Sequence, residues 1–255
     1  MTNTRNTIVI TGGGSGIGKG LAESFQRLGN QVIIAGRRKD ALDDVTASNP
    51  GMKSLALDVQ SPASIKEFVA RLTADFPSTN ILINNSGIMR PENLKSLQDD
   101  PSIAEATVAT NLLGPIRLTT AMLPLLKKQP RSTIMMVSSG LAFVPLSLTP
   151  TYCATKAAIH SYTQSLRFQL KDSVVEVLEL IPPYVQTELM GEHQSSDPRA
   201  MPLDEYISEV MNILRTQPSV AEICVDRVKP LRFAAESGNY EGVFRGMNEA
   251  MPLPD

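Results

Sequence analysis

Short runs rich in Ile, Val and Leu alternate along this chain with longer segments in which apolar residues recur at helical spacing. Near-continuous apolar strands are expected when both faces of a sheet are covered. Their alternation with helices favours βαβ units with right-handed crossovers. The pattern therefore predicts an α/β fold, a doubly wound parallel sheet with helices on both faces. The predicted strands are residues 7–11, 31–35, 54–59, 81–83, 133–137 and 174–181.

The helical patterns, and the breakers between them, predict one domain that spans residues 1–255. Gly29 is expected to stop the first helix, and Ser61-Pro62 supplies an N-cap and a first-turn proline for the helix after the third strand. A polar stretch, residues 187–202, is interpreted as a mobile excursion and opens a substrate-loop region of about 187–214. An atypical C-terminal segment of about 220–255 is expected to begin as a helix and to end in a loose tail. The other predicted helices are residues 17–28, 101–128, 151–170, 203–214 and 220–235.

The composition argues against several classes of function. A formal net charge of −2 and the lack of a basic run give no support for binding to nucleic acid or to an anionic membrane surface. No apolar stretch approaches the roughly 18 residues of a membrane span, and the polar N-terminus lacks the apolar core of a signal peptide. Cys153 and Cys224 make no disulfide framework, so a cytoplasmic protein is expected. His160 and His193 are isolated in sequence, so no metal site is predicted.

A glycine-rich turn, TGGGSGIG at residues 11–18, joins the first predicted strand to the first predicted helix. Glycines allow a tight turn and let backbone N–H groups approach a pyrophosphate, and the helix N-terminus adds a favourable dipole for that anion. The position between strand and helix favours a dinucleotide site. Two alternatives are a purely structural turn and a P-loop. The P-loop pattern nearly fits residues 13–20 but fails at Gly20, where a Ser or Thr hydroxyl is needed for Mg²⁺.

The second predicted strand ends in Ala35-Gly36-Arg37-Arg38, without the acidic residue that a NAD site usually offers to the ribose 2′-OH. Arg37 and Arg38 can instead pair with a 2′-phosphate through charge-assisted contacts. The sequence therefore predicts a preference for NADP(H), with NAD(H) possible. The alternative is a pair of solvated arginines at the start of a helix.

Tyr152 and Lys156 lie four residues apart in a predicted helix, so their side chains share one face. The reference pKa of tyrosine is about 10, and a neighbouring ammonium lowers it, so the pair is predicted to act as a tuned proton donor. An ordinary surface pair would have the same spacing. Cys153 lies beside them with no histidine nearby in sequence, and it is expected to pack rather than to react.

Taken together, these motifs resemble the short-chain dehydrogenase/reductase family over roughly residues 7–189, which implies a Rossmann-type fold. Asn84-Asn85-Ser86-Gly87 resembles the family's N-N-A-G motif, and Ser139 lies thirteen residues before Tyr152, the usual spacing of the family's catalytic serine. Ser138 is the neighbouring candidate. SSGLAFVPL and PPYVQTELMG resemble the DltE-like branch, which is named for an oxidoreductase of teichoic-acid D-alanylation gene clusters. That name describes gene neighbourhood and specifies no substrate.

The resemblance implies hydride transfer between a nicotinamide and a small-molecule carbonyl or secondary alcohol. Ser139 is then expected to hold the substrate oxygen, and Tyr152 to protonate it. Lys156 is expected to lower the Tyr152 pKa and to bind the nicotinamide ribose, and Asn111 to hold a water that links Lys156 to solvent. The expected cofactor contacts are Gly12, Gly14, Ser15, Gly16, Ile17, Gly18, Arg37, Arg38, Asp58, Val59, Asn85, Ser86, Gly87, Tyr152, Lys156, Pro182, Val185 and Thr187.

Apolar residues near these motifs are interpreted as a substrate pocket, which favours reduction of a medium-sized apolar ketone or aldehyde. The candidate substrate contacts are Phe143, Tyr184 and Met190. Core or dimer packing is the alternative role for these three residues. For the whole chain, the alternative function is an NADP(H)-binding regulatory or structural protein without turnover.

The chain departs from the family pattern in three places. Ser86 stands where an alanine is common. Pro183-Tyr184 stands where a glycine is usual, and the motifs of the family's last strand are missing after residue 221. The sheet is therefore expected to stop at six strands or to end in an atypical seventh. Because that last strand forms one interface of the family's tetramer, a homodimer is predicted instead. It would pair the helices around Asn111 and Tyr162.

Overall fold

The computed structural model describes residues 4–95, 100–217 and 219–251. Within them, seven parallel strands form one sheet in the order β3-β2-β1-β4-β5-β6-β7. The strands are β1 Thr7–Thr11, β2 Gln31–Gly36, β3 Lys53–Ala56, β4 Ile81–Asn84, β5 Ser132–Val137, β6 Val175–Ile181 and β7 Glu222–Cys224. The predicted doubly wound parallel sheet is confirmed.

Helices follow most strands, and two of them begin or end as the sequence predicts. Ser61 caps α3 by accepting a hydrogen bond from the Ser64 N–H at 3.2 Å. Gly29 follows the end of α1 with φ of +80°, a conformation that favours glycine. The helices are α1 Gly16–Arg27, α2 Lys39–Ser48, α3 Pro62–Asp75, α4 Ser102–Val108, α5 Gly114–Leu126, α6 Pro150–Gln169, α7 Glu192–Ser195, α8 Leu203–Thr216, α9 Lys229–Arg232 and α10 Tyr240–Ala250.

The sheet separates two apolar layers. On one face, α1 and α8 bury Phe25 and Tyr206, and on the other α3, α5 and α6 bury Phe68, Leu118 and Ile159. β1 pairs with β2 on one side and with β4 on the other, so the direction in which strands are added to the sheet reverses between β1 and β4. In open α/β sheets, this reversal opens a crevice beyond the carboxyl ends of the strands. Residues of the glycine-rich turn, residues 85–87 and Ser139 lie at that crevice.

Three predicted elements are wrong in detail. The long helix of residues 101–128 is interrupted by a π turn at Ala109–Leu113. The helix predicted at 220–235 instead contains β7 and the four-residue α9, so the sheet has a seventh strand. The expected loose tail contains the eleven-residue α10. Residues 252–255 of that tail, and the first three residues of the polar N-terminus, lie outside the described residues.

The substrate-loop region has a defined path at its start. The Met201 N–H donates to Tyr184 O, and the Gln186 N–H donates to Met201 O, both at 2.8 Å. These bonds close a loop that contains α7, which lies in the predicted excursion. No helix in the described part of the chain is both long enough and apolar enough to cross a membrane.

Candidate active site

Asn85 holds the glycine-rich turn against the end of β4. Its Nδ2 donates to Thr11 O at 2.9 Å and to Gly12 O at 3.4 Å, and its backbone N–H donates to Thr11 Oγ1 at 3.0 Å. A Cβ placed on Gly18 would lie 2.3 Å from Gly12 O, so α1 can approach the turn this closely only with glycine there. Gly12 and Gly16 adopt φ of +68° and +51°, which glycine reaches at no steric cost.

Gly20, the residue at which the P-loop pattern fails, has a packing role. A Cβ at this position would lie 2.8 Å from Cγ1 of Ile207, so glycine lets α1 lie close against α8. This close approach accounts for a glycine where a P-loop needs a hydroxyl.

A cavity of about 410 Å³ lies beyond the carboxyl ends of β1, β4 and β5. The glycine turn and the end of β2 form one end of it, and the catalytic motifs form the other. Most of the expected cofactor contacts line this cavity. They are Gly12, Gly14, Ser15, Gly16, Ile17, Arg37, Arg38, Val59, Asn85, Ser86, Gly87, Tyr152, Pro182, Val185 and Thr187.

The other expected contacts, Gly18, Asp58 and Lys156, do not line the cavity. Gly18 packs on the carbonyl of Gly12. The Asp58 carboxylate accepts from the Gln60 N–H at 3.0 Å, and the Asp58 N–H donates to Ser64 Oγ at 3.0 Å. Asp58 therefore shapes the turn into α3, behind the cavity wall that Val59 provides.

Arg37 and Arg38 are exposed and lie at the cavity's β2 end. Arg38 Nη2 donates to Ser15 Oγ at 3.1 Å, which holds a guanidinium beside the glycine turn. This end of the cavity is therefore positively charged and suited to an anionic group.

Ser139 and Tyr152 meet at the other end. Their hydroxyl groups form a hydrogen bond, and Ser139 Oγ also accepts from the Leu141 N–H at 3.1 Å. Burial of the Tyr152 phenol raises its pKa, and the hydrogen bond to Ser139 opposes this effect. The predicted lowering of the Tyr152 pKa is therefore wrong in direction, because desolvation outweighs favourable interactions with the phenolate. The phenol stays protonated at neutral pH, as a proton donor must.

Lys156 lies one helical turn beyond Tyr152, with its Nζ 5.5 Å from the centre of the tyrosine ring. Its ammonium donates to Val137 O at 2.8 Å. Burial lowers the pKa of Lys156 to about 8, and the negative charge of Glu179 opposes that fall. The predicted one-face arrangement of the pair is present, but the side chains are buried rather than exposed.

Asn111 lies in the π turn between α4 and α5 and is fully enclosed. Its Oδ1 accepts from the Ile88 N–H at 2.9 Å, and its Nδ2 donates to Ile88 O at 2.8 Å and to Thr155 Oγ1 at 3.3 Å. A Cβ on Gly87 would lie 3.4 Å from Asn111 Oδ1 and 3.8 Å from Lys156 Nζ. Asn111 therefore lies close to the lysine and fixes the irregular segment that follows β4.

The two serines at the end of β5 have different surroundings. Ser138 Oγ is buried without a hydrogen-bond partner among the described residues, whereas Ser139 lines both cavities of the site. This placement favours Ser139, as the spacing to Tyr152 also does.

A second cavity, of about 230 Å³, adjoins the first and shares Ser139 and Tyr152 with it. Its wall is almost wholly apolar. Of the three candidate substrate contacts, Tyr184 and Met190 line it. The apolar lining includes Met89, Leu141, Leu146, Leu189, Leu231, Met247, Ala250 and Met251.

Phe143, the third candidate, is not brought to this cavity. Its ring packs edge-on against His160, with ring centres 4.7 Å apart, and the Arg232 guanidinium lies 4.5 Å from its centre. The assignment of Phe143 as a substrate contact is therefore replaced by a packing role between α6 and α9.

Sequence reasoning missed the cavity residues beyond residue 190, which are Gln194, Arg199, Leu231, Met247, Ala250 and Met251. Met247 and Met251 stand four residues apart at the end of a run in which Tyr240, Val243 and Phe244 also recur at helical spacing. That periodicity is the signal that identifies α10 as a helix with one apolar face.

Three side chains that are far apart in sequence form the one group of potential metal ligands found among the described residues. The ligand atoms of His160, Glu179 and Glu222 lie within 4.8 Å of one another. His160 Nδ1 lies 2.8 Å from Glu179, and Arg232 donates to Glu222 at 2.7 Å. The guanidinium already supplies positive charge to this group, so the contacts describe an ion-pair network beneath α6.

Comparisons with known proteins agree with this geometry. The family model for short chain dehydrogenases matches residues 6–198. An oxidoreductase named DltE from Bacillus subtilis strain 168, itself uncharacterized, is 36% identical over 251 residues, which cover 97% of this chain and 98% of the relative.

Two solved structures share the fold. A short chain dehydrogenase from Burkholderia cenocepacia J2315, in complex with NADP, superposes with a TM-score of 0.80 at 23% identity and covers 97% of this chain and 99% of its own. A short chain dehydrogenase/reductase from Burkholderia phymatum, in complex with NAD, has a TM-score of 0.77 at 20% identity and covers 100% of both chains.

Proposed function

This chain belongs to the short-chain dehydrogenase family of NAD(P)-dependent oxidoreductases, and from that premise we propose that it reduces a medium-sized apolar ketone or aldehyde with NADPH. The observation that carries the proposal is the junction of the two cavities. Ser139 and Tyr152 are the hydroxyl groups that face both the polar cavity and the apolar one. A substrate oxygen at that junction lies within reach of a proton donor, with its carbon directed towards the polar cavity.

The polar cavity fits a dinucleotide. Gly12, Gly14 and Gly16 line the cavity without side chains, which supports room for a pyrophosphate beside the turn. The start of α1 directs backbone N–H groups and the positive end of a helix dipole towards it. Arg37 and Arg38 lie where the adenosine ribose of such a cofactor would end, and they support the choice of NADPH over NADH.

When bound, the nicotinamide supplies the hydride, and the residues of the chain hold the substrate and move the proton. Ser139 donates a hydrogen bond to the substrate oxygen, and Tyr152 delivers its hydroxyl proton to that oxygen as negative charge develops there. General acid catalysis of this kind typically contributes about 10²- to 10⁴-fold in rate. Lys156 stabilises the tyrosinate that results, because its charged form lies against the Tyr152 ring.

Cofactor preference is tested by reversing charge at the β2 end. We expect Arg37→Asp to weaken NADPH use relative to NADH by about 10- to 100-fold in kcat/KM, since a hydrogen bond to a charged group contributes about 1.5–3 kcal/mol. The matched control is Lys39→Asp, two residues away and not part of the cavity wall. Equal use of both cofactors by the wild type, with no change in Arg37→Asp, would contradict the preference.

Turnover is tested by following NADPH consumption with a panel of aldehydes and ketones, and the reverse reaction with alcohols and NADP. We expect apolar carbonyls of moderate size to be the best substrates, since the smaller cavity lacks a free charged group among the described residues that line it. Tight NADPH binding without turnover across the panel would instead favour a regulatory or structural NADP(H)-binding protein.

We also propose that the protein acts as a homodimer in the cytoplasm. Leu113, at the end of the π turn, is exposed, and Tyr162 of α6 is only half-buried, which supports pairing through these helices. Cys153 and Cys224 are both free thiols, as expected of a reducing compartment. Light scattering on the purified protein tests the dimer, and a monomer at micromolar concentration would contradict it.

A further inference from the structure

Helix α10 forms one wall of the apolar cavity. Met247, Ala250 and Met251 line it from this helix and its end, while Ser139 and Tyr152 line it from the catalytic motifs. The chain therefore returns to the active site some sixty residues after the last cofactor motif. This wall lies beyond the residues that the family model matches.

The helix is attached at the cavity rim by polar contacts and by Met247 and Met251, which are partly buried and pack against a small cluster that includes Tyr152. Asn248 Nδ2 donates to Pro145 O at 3.1 Å, and Asn248 Oδ1 accepts from the Ser147 N–H at 2.6 Å. At its end, Arg199 Nη1 donates to Ala250 O at 3.3 Å. None of the described residues of α10 is buried. The attachment sets the position of α10 over the cavity and contributes little to the core of the fold.

The described lining of the cavity offers no free charge. Arg199 is the charged residue in its described lining, and its guanidinium already donates to the Asp197 carboxylate at 2.7 Å. The volume of about 230 Å³ lies below the 300–1,000 Å³ typical of sites for drug-sized ligands. A neutral, apolar tail that extends from the reacting carbonyl fits this small volume and apolar lining better than a carboxylate or a bulky ring system.

We propose that Met247 and Met251 are specificity-determining residues that limit the length of the alkyl tail of a straight-chain aldehyde or methyl ketone. This inference rests on the proposed carbonyl reduction at Tyr152. Each thioether side chain occupies space that a longer substrate would need, and each buried methylene of a substrate contributes about 0.8 kcal/mol. Tail length is then selected by how many methylenes fit before the α10 wall.

The test measures kcat/KM with saturating NADPH for a homologous series of straight-chain aldehydes and methyl ketones. In Met247→Ala and Met251→Ala, the preferred length should increase, with a gain of about four-fold in kcat/KM for each additional methylene that is accommodated. Short members of the series should lose activity in the same variants. The matched control is Met211→Ala, a partly buried methionine of α8 that packs against the main core.

A merely structural role for the two methionines would lower kcat/KM for all lengths alike, and that result would overturn the proposal. So would an unchanged preferred length in both variants. Ligand-induced increases in Tm, measured with the same series, distinguish this inference from the proposed reaction, because a Tm increase requires the ligand to bind but does not require turnover. If wild type turns over none of the series, the proposed function is contradicted. A shift of the Tm profile towards longer tails in Met247→Ala would then still support the α10 wall.

Discussion

The two halves of the active-site cleft are constructed in different ways. The cofactor half is formed by backbone at strand ends, where a Cβ on Gly12 would lie 3.0 Å from Asn85 Nδ2 and a Cβ on Gly18 would lie 2.3 Å from Gly12 O. The substrate half is formed by side chains, most of them flexible, and one wall is a helix without a buried residue. We therefore expect the first half to tolerate little change, and the second to change its ligand when single side chains are substituted.

The largest expected effect concerns Tyr152, which lies at the junction of the two halves. Tyr152→Phe should reduce kcat by about 10²- to 10⁴-fold, because the phenol is the proposed proton donor. NADPH affinity should stay within a few-fold, because the glycine turn and the arginines are untouched. Steady-state kinetics and fluorescence titration of NADPH measure the two quantities. Substantial remaining turnover would show that another group protonates the substrate.

The next effect concerns the cofactor half. Gly18→Ala places a Cβ 2.3 Å from the Gly12 carbonyl, which the backbone must move to accommodate. Such overpacking typically costs about 1–3 kcal/mol, so NADPH affinity should fall by roughly 5- to 150-fold. The control is Gly246→Ala in α10, where no atom lies within 4 Å and the helix should become slightly more stable. Unchanged NADPH affinity in Gly18→Ala would contradict the rigid construction of this half.

Lys156 lines neither cavity. We expect it to be required for activity and to lower the free energy of unfolding. Its pKa falls to about 8 in the folded protein from 10.5, a difference of roughly 3 kcal/mol. The unfolded chain binds the proton more tightly, so this destabilisation is complete below about pH 8 and is lost as pH rises towards 10.5. Lys156→Met should therefore raise the free energy of unfolding at pH 7 by about 1–3 kcal/mol while it abolishes turnover.

Urea denaturation of Lys156→Met and of wild type at several pH values measures this effect. The advantage of the variant should shrink between pH 8 and 10.5. A variant less stable than wild type at pH 7 would show that the hydrogen bond to Val137 and the charge of Glu179 more than offset burial.

The smallest effect concerns the substrate half. Asn248→Ala removes the side-chain bonds that join α10 to Pro145 and Ser147. The loss of such bonds costs about 1 kcal/mol each. We expect KM for the carbonyl to rise several-fold, with NADPH affinity unchanged. Glu249→Ala, the exposed neighbour, is the control. A change in NADPH affinity would show that the two halves are coupled.

The same contrast explains what the sequence could predict. The cofactor half depends on contiguous motifs with strict backbone requirements, so the glycine turn, Arg37 and Arg38 could be placed from spacing alone. Tyr152 was identified by its spacing to Lys156, and Ser139 by the thirteen-residue spacing that the family resemblance implies. Ser139 follows the end of β5, and Tyr152 lies in the first turn of α6. Short-range patterns determine these positions.

The substrate half depends on side-chain directions in irregular segments, which no periodicity determines. Phe143 is close in sequence to Ser139, yet its ring packs against Arg232 instead of the cavity. Three residues were too few to identify β7 as a strand, and Gly242 and Gly246 weakened the helical pattern of α10. The direction of the Tyr152 pKa shift was also wrong, because the sequence shows the lysine neighbour but not the burial.

The four methionines of the substrate half, Met89, Met190, Met247 and Met251, have a chemical consequence. Oxidation converts a methionine into a polar sulfoxide, which would make an apolar pocket hydrophilic and change its shape. The cofactor cavity has no methionine among its described lining residues. Mild peroxide treatment should therefore impair carbonyl reduction before it impairs cofactor binding, and methionine sulfoxide reductase should restore the activity.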